Sequence, residues 1–163
     1  MNFYVLTASD SAFNGQREDL SGPEIERILI EAGFISVGYA VLPDERSLLA
    51  EKMREIADGG SADLLVTTGG TGFSPRDCTP EATRDVIERE VPGIPEAMRC
   101  YSLQVTPMAM LSRAAAGIRG RTLIVNLPGS PKAVRECLTS VLPALKHGLQ
   151  ILKGAVNNCA GGN

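Results

Sequence analysis

Residues 64–81 read LLVTTGGTGFSPRDCTPE. The apolar Leu64-Leu65-Val66 runs into two threonines and then Gly69-Gly70-Thr71-Gly72. Glycines at the carboxyl end of a buried strand leave bare backbone N–H groups and tolerate left-handed φ, and successive N–H groups make a nest for an anion. This loop is therefore a candidate phosphate cradle, with the acid Asp77 beside it. Asp10 and Asp44 also follow apolar runs, and Leu127-Pro128-Gly129-Ser130-Pro131 is a second turn of phosphate-binding character. Arg76 and Lys132 supply positive charge to this set, and Arg113 is a further candidate. Carboxylates repel phosphate oxygens, so the combination needs a bridging cation. Mg²⁺ is held by one or two carboxylates together with substrate phosphates. The set points to Mg²⁺-dependent phosphoryl or nucleotidyl transfer.

Each residue also has a plainer reading. A glycine cluster serves equally as a tight strand-to-helix turn, and neither GxxxxGK[ST] nor GxGxxG occurs here. Asp44 precedes Glu45 where a helix cap belongs, and Asp77 competes with Thr79 for the cap before Pro80. Met98, Met108 and Met110 read as core filler. Cys78 reads as a small buried thiol, since no histidine adjoins it to activate it. His147 reads as a structural or exposed residue.

Parallel strands separated by helices position such loops on one rim. Residues 2–8 are a strand ending in the polar loop Ser9-Asp10-Ser11. Ser21 is the expected cap of a helix carrying Ile25, Ile28 and Leu29 and closed by Gly33. Residues 34–42 form a second strand, interrupted at Gly38. Residues 47–57 carry Leu48, Leu49, Met53 and Ile56 at helical spacing, and Gly59-Gly60 stops them. The third strand is Leu64–Val66. This order predicts βαβ units, a parallel sheet and right-handed crossovers, with the strand-end loops converging. Further on, a helix is expected over Pro80–Glu90 and another over Ile94–Leu103. The segment Thr106–Leu111 is short, apolar and Met-rich. Residues 114–118 and 121–127 read as a strand pair turning at Arg119-Gly120. A final helix from Pro131 to about Leu152 should kink or split at Pro143.

The chain has 163 residues, enough for one domain with a sizeable core. At 44% hydrophobic and 21% charged it reads as a soluble globular protein, with no run approaching a bilayer span. The start lacks a signal-peptide pattern. A net charge of −3 and 4% aromatics argue against nucleic acid as partner. The four cysteines show no CxxC and there is one histidine, which leaves no zinc set and suggests free thiols in a reducing cytoplasm. The domain is expected over 1–153, with a frayed tail over 154–163.

The run Thr67-Thr68-Gly69-Gly70-Thr71-Gly72, followed by Pro75-Arg76-Asp77 and Thr79-Pro80-Glu81, closely resembles the molybdopterin adenylyltransferase family. That family includes free-standing bacterial enzymes and the matching domain of gephyrin-like fusion proteins. Pro43-Asp44-Glu45, Met110-Leu111-Ser112-Arg113, and Leu127-Pro128-Gly129 with Pro131-Lys132 extend the match from Thr7 to about Gly154. The resemblance implies an α/β fold, a three-layer α/β/α single domain with a mostly parallel sheet, assembled as a homotrimer. It implies an enzyme that transfers AMP from ATP to the terminal phosphate of molybdopterin with Mg²⁺, releasing pyrophosphate, ahead of a downstream molybdenum insertase. Asp44 and Asp77 match the family's catalytic acids for metal and nucleotide handling. Gly69, Gly70, Thr71, Gly72, Pro128 and Gly129 are then the nucleotide and phosphate contacts. Ser9, Asp10, Ser112, Arg113, Ser130 and Lys132 are candidate pterin or substrate contacts. Ser130 stands where relatives often carry Asn or Gln, and Cys78 where Val is common. Two other readings of the same motifs are a paralogue that carries or scaffolds the pterin without turnover, and a nucleotide pyrophosphatase of the same fold.

Overall fold

The structure, a computed structural model, describes residues 1–154. From residue 155 onward, the expected frayed tail lies outside the described residues. The elements run β1 (Asn2–Ala8), α1 (Asp10–Phe13), α2 (Ser21–Glu31), β2 (Ile35–Leu42), α3 (Arg46–Asp58) and β3 (Leu64–Thr68). They continue with α4 (Thr79–Arg84), β4 (Arg89–Glu90), α5 (Gly93–Leu103), a 3-10 helix (Pro107–Leu111), β5 (Ala116–Arg119), β6 (Thr122–Leu127) and α6 (Pro131–Leu152).

One six-stranded sheet has the order β2-β1-β3-β6-β5-β4. β2, β1, β3 and β6 are parallel, and β5 and β4 close one edge antiparallel. Side chains alternate across a strand, and the central strands here use both faces for core. Phe3, Val5, Leu64, Val66, Leu123 and Val125 pack under α2, α5 and α6 with Ile25, Leu29, Met98, Leu138 and Leu145. Leu6, Leu65 and Ile124 pack on the opposite face against Leu49, Met53, Ile56 and Val86 from α3 and the α4 segment. Helices on both faces of a mostly parallel sheet make three α/β/α layers.

Several expectations change. The helix expected over Pro80–Glu90 stops after Arg84, because the chain turns and Arg89–Glu90 pairs with Gly117–Ile118 of β5. Ser21 is the first residue of α2 and not its cap; the Asp19 carboxylate accepts from the N–H groups of Ser21 (2.8 Å) and Gly22 (3.1 Å). The second strand is continuous, with one register shift opposite Phe3/Tyr4. The polar loop at Ser9 is one helical turn, capped by the Ser9 hydroxyl. Met98 is core, but Met108 and Met110 are 62% and 68% exposed. Helix α6 is not split at Pro143.

Candidate active site

Ala8, Leu42, Thr68 and Leu127 end side by side, as the pairings Ala8↔Leu42, Thr7↔Thr68 and Thr68↔Leu127 require. From β1 the chain passes to β2 on one side, while β3 adjoins β6 on the other. The gap between the carboxyl ends of β1 and β3 is thus a topological switch point, where an open α/β sheet leaves a crevice. A cleft of about 230 Å³ lies there, lined by Thr7, Ser9, Asp44, Gly69, Gly70, Asp77 and Gly129 among others.

The glycine loop needs its glycines. Gly69 has φ +88°, and a β-carbon on it would collide with the Ala8 carbonyl oxygen. Gly70 has φ +61°, and its β-carbon would collide with Thr79 Oγ1 and stand 2.9 Å from Asp44 Oδ1. Both positions combine left-handed backbone with close packing, so L side chains are excluded twice over. The second turn is pinned beside it. Thr68 Oγ1 donates to Pro128 O (2.7 Å) and Ser21 Oγ to Gly129 O (2.8 Å).

Asp10 and Asp44 brace each other. The Asp10 N–H donates to Asp44 Oδ2 and the Asp44 N–H to Asp10 Oδ1, both at 3.0 Å. Asp44 is therefore not the cap of α3, whose cap position is Glu45. Its Oδ1 is buried without a hydrogen-bond partner. Burial lifts the Asp44 carboxyl above the ordinary carboxylate value, opposed by the Asp10 N–H and reinforced by the charges of Asp10 and Asp77. Asp10 moves the other way, held down chiefly by hydrogen bonds from Arg76. That guanidinium donates to both Asp10 oxygens at 3.0 Å and to Glu45 at 2.9 Å. Asp77 reaches back through Oδ2 to the Ser74 N–H at 3.2 Å. Burial raises the Cys78 thiol, which makes it a poor nucleophile.

The remaining candidates divide. Arg113 is occupied with the loop itself. It donates to the carbonyls of Gly72 and Asp77 at 2.7 Å and pairs with Glu81, while its N–H bonds Thr71 O at 2.9 Å. Ser130 caps α6 by accepting from the Ala133 N–H (3.3 Å). The Lys132 side chain is 78% exposed near Glu136. Ser112 lies elsewhere, in a groove of about 280 Å³ on the far side of the glycine loop. Thr71, Gly72 and Pro128 form its near wall and Met98, Met108, Leu111 and Ala114 its apolar lining. The loop thus separates a polar cleft from an apolar one.

Sequence reasoning passed over Asp19, which also lines the polar cleft. Besides the α2 N–H groups, its carboxylate accepts from Thr7 Oγ1 (2.6 Å) and from the Tyr39 hydroxyl. Burial alone would raise this carboxyl, but those bonds outweigh it and hold it below the ordinary value. An Asp two residues ahead of Ser-Gly-Pro was the available signal.

The family model described as a probable molybdopterin binding domain matches residues 4–147. The chain belongs to this family. It is 46% identical over 152 residues to a molybdopterin adenylyltransferase of Helicobacter pylori strain J99, covering 92% of this chain and 86% of that protein. With the Escherichia coli K12 molybdopterin adenylyltransferase the identity is 40% over 151 residues, covering 89% and 77%. Among solved structures, the molybdopterin biosynthesis enzyme MoaB of Thermus thermophilus superposes with a TM-score of 0.89 at 49% identity, covering 94% of this chain and 96% of that one. The three-layer fold is thus that of the family.

Proposed function

We propose that this chain is a molybdopterin adenylyltransferase, joining AMP from ATP to the terminal phosphate of molybdopterin and releasing pyrophosphate. The observation that carries this reading is the glycine loop between two unlike clefts, with Asp44 and Asp77 on its polar side. A reaction joining a polyphosphate to a pterin phosphate needs such a pair of sites flanking one anion cradle.

The nucleophile needs little help. A phosphate monoester is mostly dianionic at neutral pH, since its second pKa is about 6. A phosphate oxygen of the pterin forms a bond to the α-phosphorus of ATP, and the bond from that phosphorus to the bridging oxygen of pyrophosphate breaks. The task for the protein is to hold two anions in line. Backbone N–H groups of Gly69–Gly72 and of the Pro128-Gly129 turn serve the phosphates. Ser9 serves the polar cleft and Ser112 the apolar one, where the pterin ring sits against Met98, Leu111 and Ala114. Asp10 and Arg113 work by holding the loops, Ser130 by capping α6 next to the Pro128-Gly129 turn, and Lys132 by offering an exposed charge at the start of that helix.

The residues present fit Mg²⁺. Asp44 and Asp77 bring two carboxylates, hard oxygen donors of the kind Mg²⁺ takes, to the same cleft beside the glycine loop. Among the described residues no group of three or more His, Cys, Asp or Glu forms a metal cage, so substrate phosphates would have to supply the remaining ligands of a cation here. Asp44 and Asp77 would hold Mg²⁺, which would supply charge neutralisation at the nucleotide phosphates. The assembly is a homotrimer in the cytoplasm, handing its product to an insertase. Among the described residues no helix is long and apolar enough to cross a membrane.

Incubation with ATP, Mg²⁺ and molybdopterin, followed by mass analysis of the pterin, tests the reading. An adenylylated pterin is expected. Tight pterin binding with no such product favours a carrier and contradicts it.

A further inference from the structure

Among the described residues, the buried side-chain oxygens without a hydrogen-bond partner are Asp44 Oδ1, Thr79 Oγ1 and Glu81 Oε2. The other Glu81 oxygen is already held by Arg113. Asp44 Oδ1 and Thr79 Oγ1 belong together. A β-carbon on Gly70 would stand 2.9 Å from the first and nearer still to the second, so both oxygens lie close against the same side of Gly70. Thr79 is wholly buried, and its N–H donates to Gly70 O at 3.1 Å, which fixes it against the loop. A hydroxyl carries a donor, whereas an ionised carboxylate only accepts. Leaving either buried and unpaired is costly, and native interiors seldom do so.

We propose that Thr79 is a positioning residue for Asp44: its hydroxyl donates to one enclosed water, which in turn donates to Asp44 Oδ1, and so fixes the inner oxygen of the carboxylate. The outer oxygen already accepts the Asp10 N–H at 3.0 Å. Groups at the starts of two different helices, α1 and α4, then hold the carboxylate, one at each oxygen. Because Thr79 is also tied to Gly70, the same residue sets the acid against the phosphate cradle. The pairing is a property of the folded chain; only its consequence for turnover rests on the adenylyl-transfer reading.

The test is a thermal double-mutant cycle on the full chain. Thr79→Val keeps the shape and removes the hydroxyl; Asp44→Ala removes its acceptor. Thr79→Val is expected to lower the melting temperature in the wild-type background and to have little effect in the Asp44→Ala background. A melting temperature that stays or rises in the wild-type background, or that falls equally in both, overturns the pairing. With ATP, Mg²⁺ and molybdopterin, Thr79→Val is expected to lose about tenfold or more in kcat with KM for ATP little changed, the mark of a misplaced group. Thr79→Ser, which retains the hydroxyl, is expected to restore most of it. Equal losses in both variants overturn the positioning role. If the wild-type chain forms no adenylylated pterin, the functional reading fails, while the thermal cycle still decides the pair.

Discussion

Asp44 and Asp77 reach one cleft from loops 33 positions apart, while the nearby acid Asp10 is neutralised by Arg76. We expect Asp44→Ala and Asp77→Ala each to lose turnover by about a hundredfold or more, the scale for removing one preorganised electrostatic group, while molybdopterin still binds. Steady-state kinetics alongside pterin fluorescence titration checks both halves. Asp19 gives a prediction of a different kind. Its folded carboxyl lies below the ordinary value, so its ionised form stabilises the fold above the unfolded pKa near 3.8, and that contribution is lost as pH falls through the lower folded value. Asp19→Asn should therefore lower the melting temperature at pH 7 and converge on wild type in acid; an equal gap at every pH contradicts the assignment. At this scale the sequence was informative about acids that follow strands and glycines that a turn requires. It named Arg113 as a candidate substrate contact but not as a brace of the loop, because a guanidinium that holds carbonyls and one that binds phosphate look alike in a chain of letters.

The element that matters most is the strand β3, its glycine loop and the start of α4. Gly70→Ala forces left-handed backbone on an L residue, at about 1–2 kcal/mol, before any contact with Thr79 and Asp44 is counted. Urea denaturation should show that loss, and KM for ATP should rise with it. Arg113→Gln severs the ties to Gly72 and Asp77 carbonyls without touching the sheet. Faster hydrogen exchange confined to residues 71–77, with an unchanged core, is the expected result; global acceleration contradicts a local brace. The helices and central strands were legible because their apolar spacing is strict. The end of α4 was not: Val86 and Ile87 continue a helical pattern, and only pairing of Arg89–Glu90 with a strand much later in the chain turns it away. Met108 and Met110 misled for a related reason, since composition marks them as core and the 3-10 turn points them outward.

For the whole molecule, the alternation of strand and helix already required the strand-end loops to share a rim, and the sheet order places the polar cleft at its switch point. What the sequence did not reveal was a second, apolar groove behind the same loop, because its walls come from α5, the 3-10 helix and α6, far apart in the chain. Leu103, Val105, Met108, Met110 and Leu111, from the end of α5 through the 3-10 helix, are all exposed, and Met108 and Leu111 line that groove. Exposed apolar groups gathered in one stretch mark an interaction surface. If copies of the chain meet there, as the proposed trimer requires of some surface, Met110→Glu should lower the mass read by light scattering; an unchanged mass moves the interface elsewhere. The central claim, adenylyl transfer to a pterin phosphate, is tested most directly by pyrophosphate release from ATP and Mg²⁺, measured with and without molybdopterin. The account predicts release that depends on the pterin and equals the adenylylated pterin formed. Release at the same rate without pterin would contradict it and point to pyrophosphatase chemistry in the same cleft.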